Sequence, residues 1–369
     1  MDKRKKVMAG CRQVIVKVGT RLLTDPIMIP QLIRQIAELR KMRLQPLLVS
    51  SGAVGTGLKQ LGMEKRPRKL AEIQALAAVG QGRLMALYND ACAQEGFHAA
   101  QLLLTRDDLR NRARCINVQN CIQALWAKGI LPIVNENDSV SVDELKFSDN
   151  DILSGMLGAL TGAQLTIILT TESGLRERVN GVLGDRVSVV EAISQDILNS
   201  AGGTDDPKFS IGGMTSKLNA AQLVTGAGGY LWIADGRDPE IISKIIAGED
   251  VGTLFLPRRR KISSRKLWIG AFAEVFGRIT VDEGAAEALI RSGSSLLPSG
   301  VRGITGHFEA GDAVEIAAPD GSLVARGIAE CSCEVCDRIK GMRADQITAL
   351  LGADAPGEMV HRDNLTVIK

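Results

Sequence analysis

Residues 131–154 read LPIVNENDSVSVDELKFSDNDILS, and the way this stretch is parsed decides the fold of the first part of the chain. A short apolar run, Leu131-Pro132-Ile133-Val134, delivers the polar cluster Asn135-Glu136-Asn137-Asp138. Ten residues later a second knot of acids and amides, Ser148-Asp149-Asn150-Asp151, opens an apolar stretch of helical character. A buried run too short for a helix, then a polar loop, then a helix, is the unit of a layered α/β fold. Asn and Asp are also ordinary turn residues, so a surface loop accounts for this segment equally well when it is taken alone. Acceptors and amides packed this densely between strand and helix suit a small polar or charged ligand better than a core.

The same unit recurs on both sides. VIVKVG (14–19), PLLVSSGA (46–53), HAAQLLLT (98–105), ILPIVNEN (130–137), LTIILTT (165–171) and GYLWIADG (229–236) are predicted strands. Most are continuous apolar runs, as expected of parallel strands buried on both faces. Helical patterns lie between them at 30–43, 67–95, 107–128, 150–161 and 215–226. The alternation predicts an α/β domain with a mainly parallel sheet. After Gly252–Pro257 the pattern changes. A basic run (Arg258, Arg259, Arg260, Lys261, Arg265 and Lys266) precedes short alternating strands, among them a hairpin at 313–330 around Pro319-Asp320-Gly321. Helices are expected at 283–292 and near 344–352. The expected division is a first domain over 1–257, a basic linker over 258–276 and a small β-rich domain over 277–369.

Composition sets further bounds. A chain of 369 residues is expected to form two domains. Apolar residues make up 45% and aromatics 3%, so the core is aliphatic. No run approaches the roughly 18–20 apolar residues of a membrane span, and the basic N-terminus lacks the apolar run of a signal peptide. Seven scattered cysteines do not form a disulfide framework. These features predict a soluble, cytoplasmic protein without a membrane partner. From Trp268 onward, nine Lys and Arg face fifteen Asp and Glu, a net −6. RNA, which needs a basic face, is therefore an unlikely partner for that domain.

Three strand–helix junctions favour anions. Lys17 ends the first strand in VKVGT, close to Gly19. Ser50-Ser51-Gly52-Ala53-Val54-Gly55-Thr56-Gly57 follows the second strand and opens a helix, offering free N–H groups. Ile211-Gly212-Gly213-Met214-Thr215-Ser216-Lys217 opens another, with Lys217 as a charged cap. The 50–57 loop meets neither the P-loop nor the dinucleotide fingerprint. Taken alone, Lys17 and Lys217 each read as a solvated lysine in a turn and the 50–57 loop as a weak glycine-rich signal, but three such junctions in one domain point to phosphate. Two lysines and glycine-loop N–H groups could neutralise a transferring phosphoryl group. A carboxylate acceptor is already ionised at neutral pH and needs no general base. His98, His307 and His361 all lie outside these loops. Asp149 and Asp151 could orient the lysines or help hold Mg²⁺, and Asp138 and Asn150 could bind a substrate ammonium or carboxylate.

VKVGT, VSSGAVGTG, AAVGQGRLM, LLLTRDDL, IVNENDSV, SDNDILS, GGMTSKLNAA, VGTLF and DEGAAEAL–SSLLPSGV, in this order, resemble the bacterial glutamate 5-kinases of the amino acid kinase family. The resemblance implies a three-layer αβα sandwich followed by a PUA domain. It implies ATP-dependent phosphorylation of the side-chain carboxylate of L-glutamate with Mg²⁺, the first step of proline synthesis, with feedback inhibition by proline in a homo-oligomer, a dimer or tetramer. It implies that Lys17 and Lys217 flank the transferred phosphate and that Asp151 organises them. Gly19 and Gly52 would cradle the phosphate, with Gly19 on the nucleotide side and Gly52 facing the substrate. Ser51, Asp138, Asn150 and Asp149 would bind glutamate. Thr170, Thr171, Ile211, Gly212, Gly213, Met214, Thr215 and Ser216 would bind the nucleotide together with the two lysines. Thr171, Arg176 and Ile211 depart from the Asp, Tyr and Thr usual there, all on the nucleotide side.

Two further readings stay open. One is another amino acid kinase, acting on acetylglutamate or aspartate. The other is a catalytically weak regulatory RNA-binding protein. Cys331-Ser332-Cys333-Glu334-Val335-Cys336 resembles half a metal site but lacks a second ligand pair, and no metal is expected there.

Overall fold

The computed structural model describes residues 3–140, 150–179, 182–200, 213–258, 263–352 and 356–368. They form two compact units, Met1–Leu109 with Ala113–Lys261, and Arg110–Arg112 with Ile262–Lys369.

The strands of the first unit are β1 (Gln13–Val18), β2 (Gln45–Val49), β3 (Ala99–Leu104), β4 (Leu131–Glu136), β5 (Leu165–Thr170), β6 (Arg176–Val179), β7 (Val182–Arg186), β8 (Val189–Val190), β9 (Tyr230–Asp235) and β10 (Thr253–Phe255). Its helices are α1 (Met28–Lys41), α2 (Ala53–Gln60), α3 (Leu70–Gln94), α4 (Arg106–Arg110), α5 (Arg112–Ala127), α6 (Asn150–Thr161), α7 (Gln195–Ser200), α8 (Met214–Gly226) and α9 (Ile241–Ala247). Eight strands form one sheet in the order β3-β4-β2-β1-β5-β9-β10-β8, parallel except where β9 meets β10. β1 lies inside it, hydrogen-bonded to β2 on one edge and to β5 on the other.

Burial explains the aliphatic strands. In β5, Leu165, Ile167 and Leu169 join a core shared with α1, α3 and α9, while Ile168 faces a second core with α8. Helices therefore cover both faces, which is the three-layer sandwich. All six expected strands are present. β8 and β10 extend the sheet beyond them, and β6 and β7 pair as a separate antiparallel hairpin. The helix expected over 107–128 is two helices, α4 and α5, broken at Asn111. Positive φ needs glycine at Gly52 (φ 91°), where the chain leaves β2 and enters α2. α2 then lies on α3 with almost no space between backbones: a Cβ on Gly80 would stand 1.9 Å from Ala53 O.

The second unit holds α10 (Ser264–Ala271), β11 (Val275–Val281), α11 (Glu283–Ser292), β12 (Val301–Gly306), β13 (Ala313–Ala317), β14 (Leu323–Ile328), α12 (Cys333–Ile339), α13 (Ala344–Leu351) and β15 (Leu365–Val367). Its sheet runs β12-β11-β13-β14-β15. The expected hairpin is β13–β14, and α11 spans the expected residues.

Candidate active site

Parallel strands end on one edge, and in open α/β sheets ligands bind outside those carboxyl ends. Lys17 lies near the end of β1, Asp151 in the first turn of α6 and Lys217 in the first turn of α8. Lys17 Nζ stands 2.5 Å from one oxygen of Asp151, and Lys217 Nζ 2.9 Å from the other. Asp151 is fully buried, and the two lysines are 4% and 7% exposed. The packing of α6 on α8 makes this meeting possible. A Cβ on Gly155 of α6 would lie 2.9 Å from Ala220 Cα of α8, so only glycine lets the two helices come this near. Ser216 Oγ lies 3.3 Å from Asp151 Oδ2 and 2.8 Å from Gly213 O, so its single hydrogen has two acceptors. Two ammonium groups and one carboxylate together carry one positive charge. In a site shielded from water this charge acts on an anion with little screening.

Beside this trio lies a hydrogen-bonded amide cluster. Asn150 Nδ2 is surrounded by Ser50 O (2.7 Å), Ser51 Oγ (2.8 Å) and Asn135 Oδ1 (3.0 Å). Asn135 Nδ2 donates to Gln81 Oε1 at 2.8 Å. Ser50 Oγ meets the Tyr88 hydroxyl at 2.9 Å. Burial pushes the Tyr88 hydroxyl up from its ordinary pKa, against the opposing effect of Ser50, so it stays protonated. Asn150 Oδ1 is buried and has no hydrogen-bond partner among the described residues. A buried acceptor left open in this way calls for a donor from a ligand.

Thr170 ends β5, the strand beside β1, and Thr171 follows it. Arg237 Nη2 donates to Thr171 O at 2.9 Å and also grips Asp235 at the end of β9. Burial raises the Asp235 pKa, but the Arg237 hydrogen bonds outweigh it and hold the carboxyl below its ordinary value. Arg176 Nε donates to Gly184 O at 2.9 Å in the β6–β7 hairpin.

The structure thus brings together Lys17, Asp151, Lys217 and Ser216, and separately Ser51 and Asn150. Gly19 follows β1, and its N–H donates to Leu169 O at 3.3 Å. A Cβ there would meet nothing nearer than 3.7 Å, so sterics alone do not demand glycine. Asp138 is half-buried in the turn after β4. Gly213, Met214 and Thr215 form the start of α8, with Thr215 exposed. Asp149, Ile211 and Gly212 lie outside the described residues. Gln81, Tyr88 and Arg237 were given no role in the sequence. For Gln81 a signal existed, since a glutamine stands in register with apolar Ala77, Leu84 and Tyr88 on the buried face of α3.

The sequence profile of the Amino acid kinase family matches residues 12–235, and that of the PUA domain residues 277–351. The chain belongs to the amino acid kinase family. It is 40% identical to the glutamate 5-kinase of Caldanaerobacter subterraneus subsp. tengcongensis, over 97% of this chain and 98% of that protein. It is 40% identical to that of Thioalkalivibrio sulfidiphilus over the whole of both chains, and 39% identical to that of Geobacter sulfurreducens over 99% of this chain and 100% of that protein. In this amino acid kinase, no described helix is long and apolar enough to cross a membrane. Among the described residues, no group of three or more His, Cys, Asp and Glu side chains is placed to hold a metal ion.

Proposed function

We propose that this amino acid kinase transfers the γ-phosphoryl group of ATP to the side-chain carboxylate of L-glutamate, giving L-glutamyl 5-phosphate, the first step of proline biosynthesis. The meeting of Lys17 and Lys217 on buried Asp151 carries this reading. The full-length relatives, all glutamate 5-kinases, support it. The glutamate carboxylate is the nucleophile and is ionised without a base. Lys17 and Lys217 offset the charge that develops on the transferring group and its bridging oxygen, and Asp151 fixes where their ammonium groups stand. The backbone N–H of Gly52 adds a neutral donor, and Gly19 lines the nucleotide side of the cradle. Asn150 Oδ1 accepts from the α-ammonium of glutamate, with Ser51, Gly52, Asp138 and Asp149 completing the pocket. The nucleotide lies toward Thr170, Thr171 and residues 211–217.

Asp151 is engaged by two lysines, so it does not fit the part of a Mg²⁺ ligand. Mg²⁺ belongs instead to the phosphates of the incoming nucleotide. Proline competes at the glutamate pocket, the enzyme works as a homo-oligomer in the cytoplasm, and the chain divides into 1–257, a linker at 258–276 and 277–369.

The test is ADP release with glutamate, acetylglutamate or aspartate, each with and without proline. Glutamate should give by far the highest kcat/KM, and proline should raise its apparent KM. Equal turnover of acetylglutamate or aspartate would overturn the substrate assignment.

A further inference from the structure

The cysteines at 331–336 play no part in phosphoryl transfer, yet two of them touch. Cys331 immediately precedes Ser332, the N-cap of α12, whose side chain accepts the Val335 N–H at 3.4 Å. Cys336 lies one turn into the helix. These are the two positions, before the cap and four residues after it, where an apolar pair commonly packs to fix the entry of the chain into a helix. Valine or leucine would serve that purpose without reactivity. Here the pair is thiol on thiol, with the sulfurs 3.2 Å apart. Neither is in a disulfide. Cys331 is 7% exposed and Cys336 not at all. Cys333 aims elsewhere, its sulfur 3.9 Å from His307 Nδ1.

We infer that Cys331 and Cys336 form an oxidation site that closes to an intramolecular disulfide when the protein meets a hydroperoxide. Covalent closure brings the sulfurs nearer by about 1.2 Å, to roughly 2.05 Å, a shift within reach of side-chain rotation. The contact also divides the labour. The hydrogen bond from Cys336 lowers the Cys331 thiol below its ordinary pKa despite burial, and the same contact holds the Cys336 proton. Cys331, which keeps a narrow opening to solvent, is therefore the attacking thiolate. Its sulfur attacks one peroxide oxygen, forming an S–O bond as the O–O bond breaks and hydroxide leaves. The Cys336 sulfur then attacks the Cys331 sulfur. The S–S bond forms, the S–O bond breaks, and the Cys336 proton leaves with the oxygen as water. The hydroxide takes up the proton lost by Cys331. Two thiols are oxidised and one hydroperoxide is reduced to two waters (or, from an alkyl peroxide, to water and an alcohol).

The experiment treats the full-length protein with hydrogen peroxide, then alkylates it under denaturing, non-reducing conditions. Trypsin releases residues 327–338 as one fragment that holds all three cysteines. The fragment should take one alkyl group instead of three, and three again after dithiothreitol. In Cys333→Ser the fragment should go from two groups to none, which places the bond on Cys331 and Cys336. Cys331→Ser should keep both remaining sites alkylated, whereas in Cys336→Ser the Cys331 sulfenic acid has no Cys336 sulfur to resolve it and should be trapped by dimedone. Three groups on the oxidised wild-type fragment would overturn the inference. So would two groups on the oxidised Cys333→Ser fragment, or bound zinc that blocks alkylation in the protein as isolated. The wild-type and Cys333→Ser results decide the matter even if a variant in the buried pair fails to fold.

Discussion

Asp151 is the residue on which both lysines depend. Removing one partner from a buried ionic cluster leaves charge behind in a place poor in water, at a cost of about 3–5 kcal/mol. Asp151→Ala should therefore lose stability in urea unfolding as well as turnover. Lys17→Ala and Lys217→Ala should each lower kcat about 10²- to 10³-fold, as expected for lost transition-state donors, with a smaller change in KM for glutamate. Near-normal kcat in either variant would remove that lysine from the chemistry. Gln81 acts at one remove, because it holds Asn135, which in turn meets Asn150. Gln81→Leu should raise KM for glutamate by about five- to thirty-fold, the equivalent of roughly 1–2 kcal/mol of lost hydrogen bonding. Gln81→Glu keeps the acceptor and should recover much of this loss. An unchanged KM in Gln81→Leu would confine the residue to packing. At this scale the sequence showed the charged residues more readily than the amides behind them. A lysine beside glycine declares itself through its chemistry, whereas Gln81 and Asn135 take their meaning from a contact between α3 and β4.

Helices α6 and α8 carry Asp151 and Lys217, and Gly155 sets how near they lie. Gly155→Val forces a branched side chain into the Ala220 backbone, an overpacking cost of about 1–3 kcal/mol. It should lower Tm and, by separating Asp151 from Lys217, lower kcat more than it raises KM. Gly82 on α3 is the control: it faces open space, so Gly82→Ala should leave kcat unchanged and slightly raise Tm. Kinetics and thermal melts on the two variants check both outcomes. Equal behaviour of the pair would show that helix proximity does not matter to the site. Elements were legible where burial was two-sided, as in β1, β2, β4, β5 and β9, because such strands are unbroken apolar runs. β8 and β10, of two and three residues, leave no periodicity to detect. The break at Asn111 between α4 and α5 carries no proline or glycine to announce it.

At the scale of the molecule, every residue proposed for phosphoryl transfer precedes Pro257. A chain ending at Lys261 should therefore fold and release ADP with glutamate, as sedimentation and the coupled assay would read. A soluble, folded truncation without activity would show that the acidic C-terminal unit completes the site. That unit has its own pH signature. Glu315 of β13 bonds Arg278 of β11 at 2.8 Å and Arg326 of β14 at 3.0 Å, each its cross-strand partner. The Arg278 bond, with Arg326, holds the Glu315 carboxyl below its ordinary 4.5 even though burial opposes this. A depressed carboxyl stabilises the fold above its ordinary pKa and loses that contribution as pH falls through its folded value. Thermal melts of the full chain should separate wild type from Glu315→Gln at neutral pH and converge in acid. Parallel curves at all pH values would rule out this ladder as the source.

The pairing of β1 also has a consequence in time. Its partner on one side, β2, follows within a few dozen residues, but its other partner pairs Val14 with Leu165. At about 5–20 residues per second, synthesis of that span takes roughly 8–30 s. Throughout it the strand that will lie inside the sheet is an open edge of apolar residues, a template for any extended chain nearby. That edge stays uncovered until β5 emerges, and Lys17, proposed for phosphoryl transfer, waits on the same strand for Asp151 to be made.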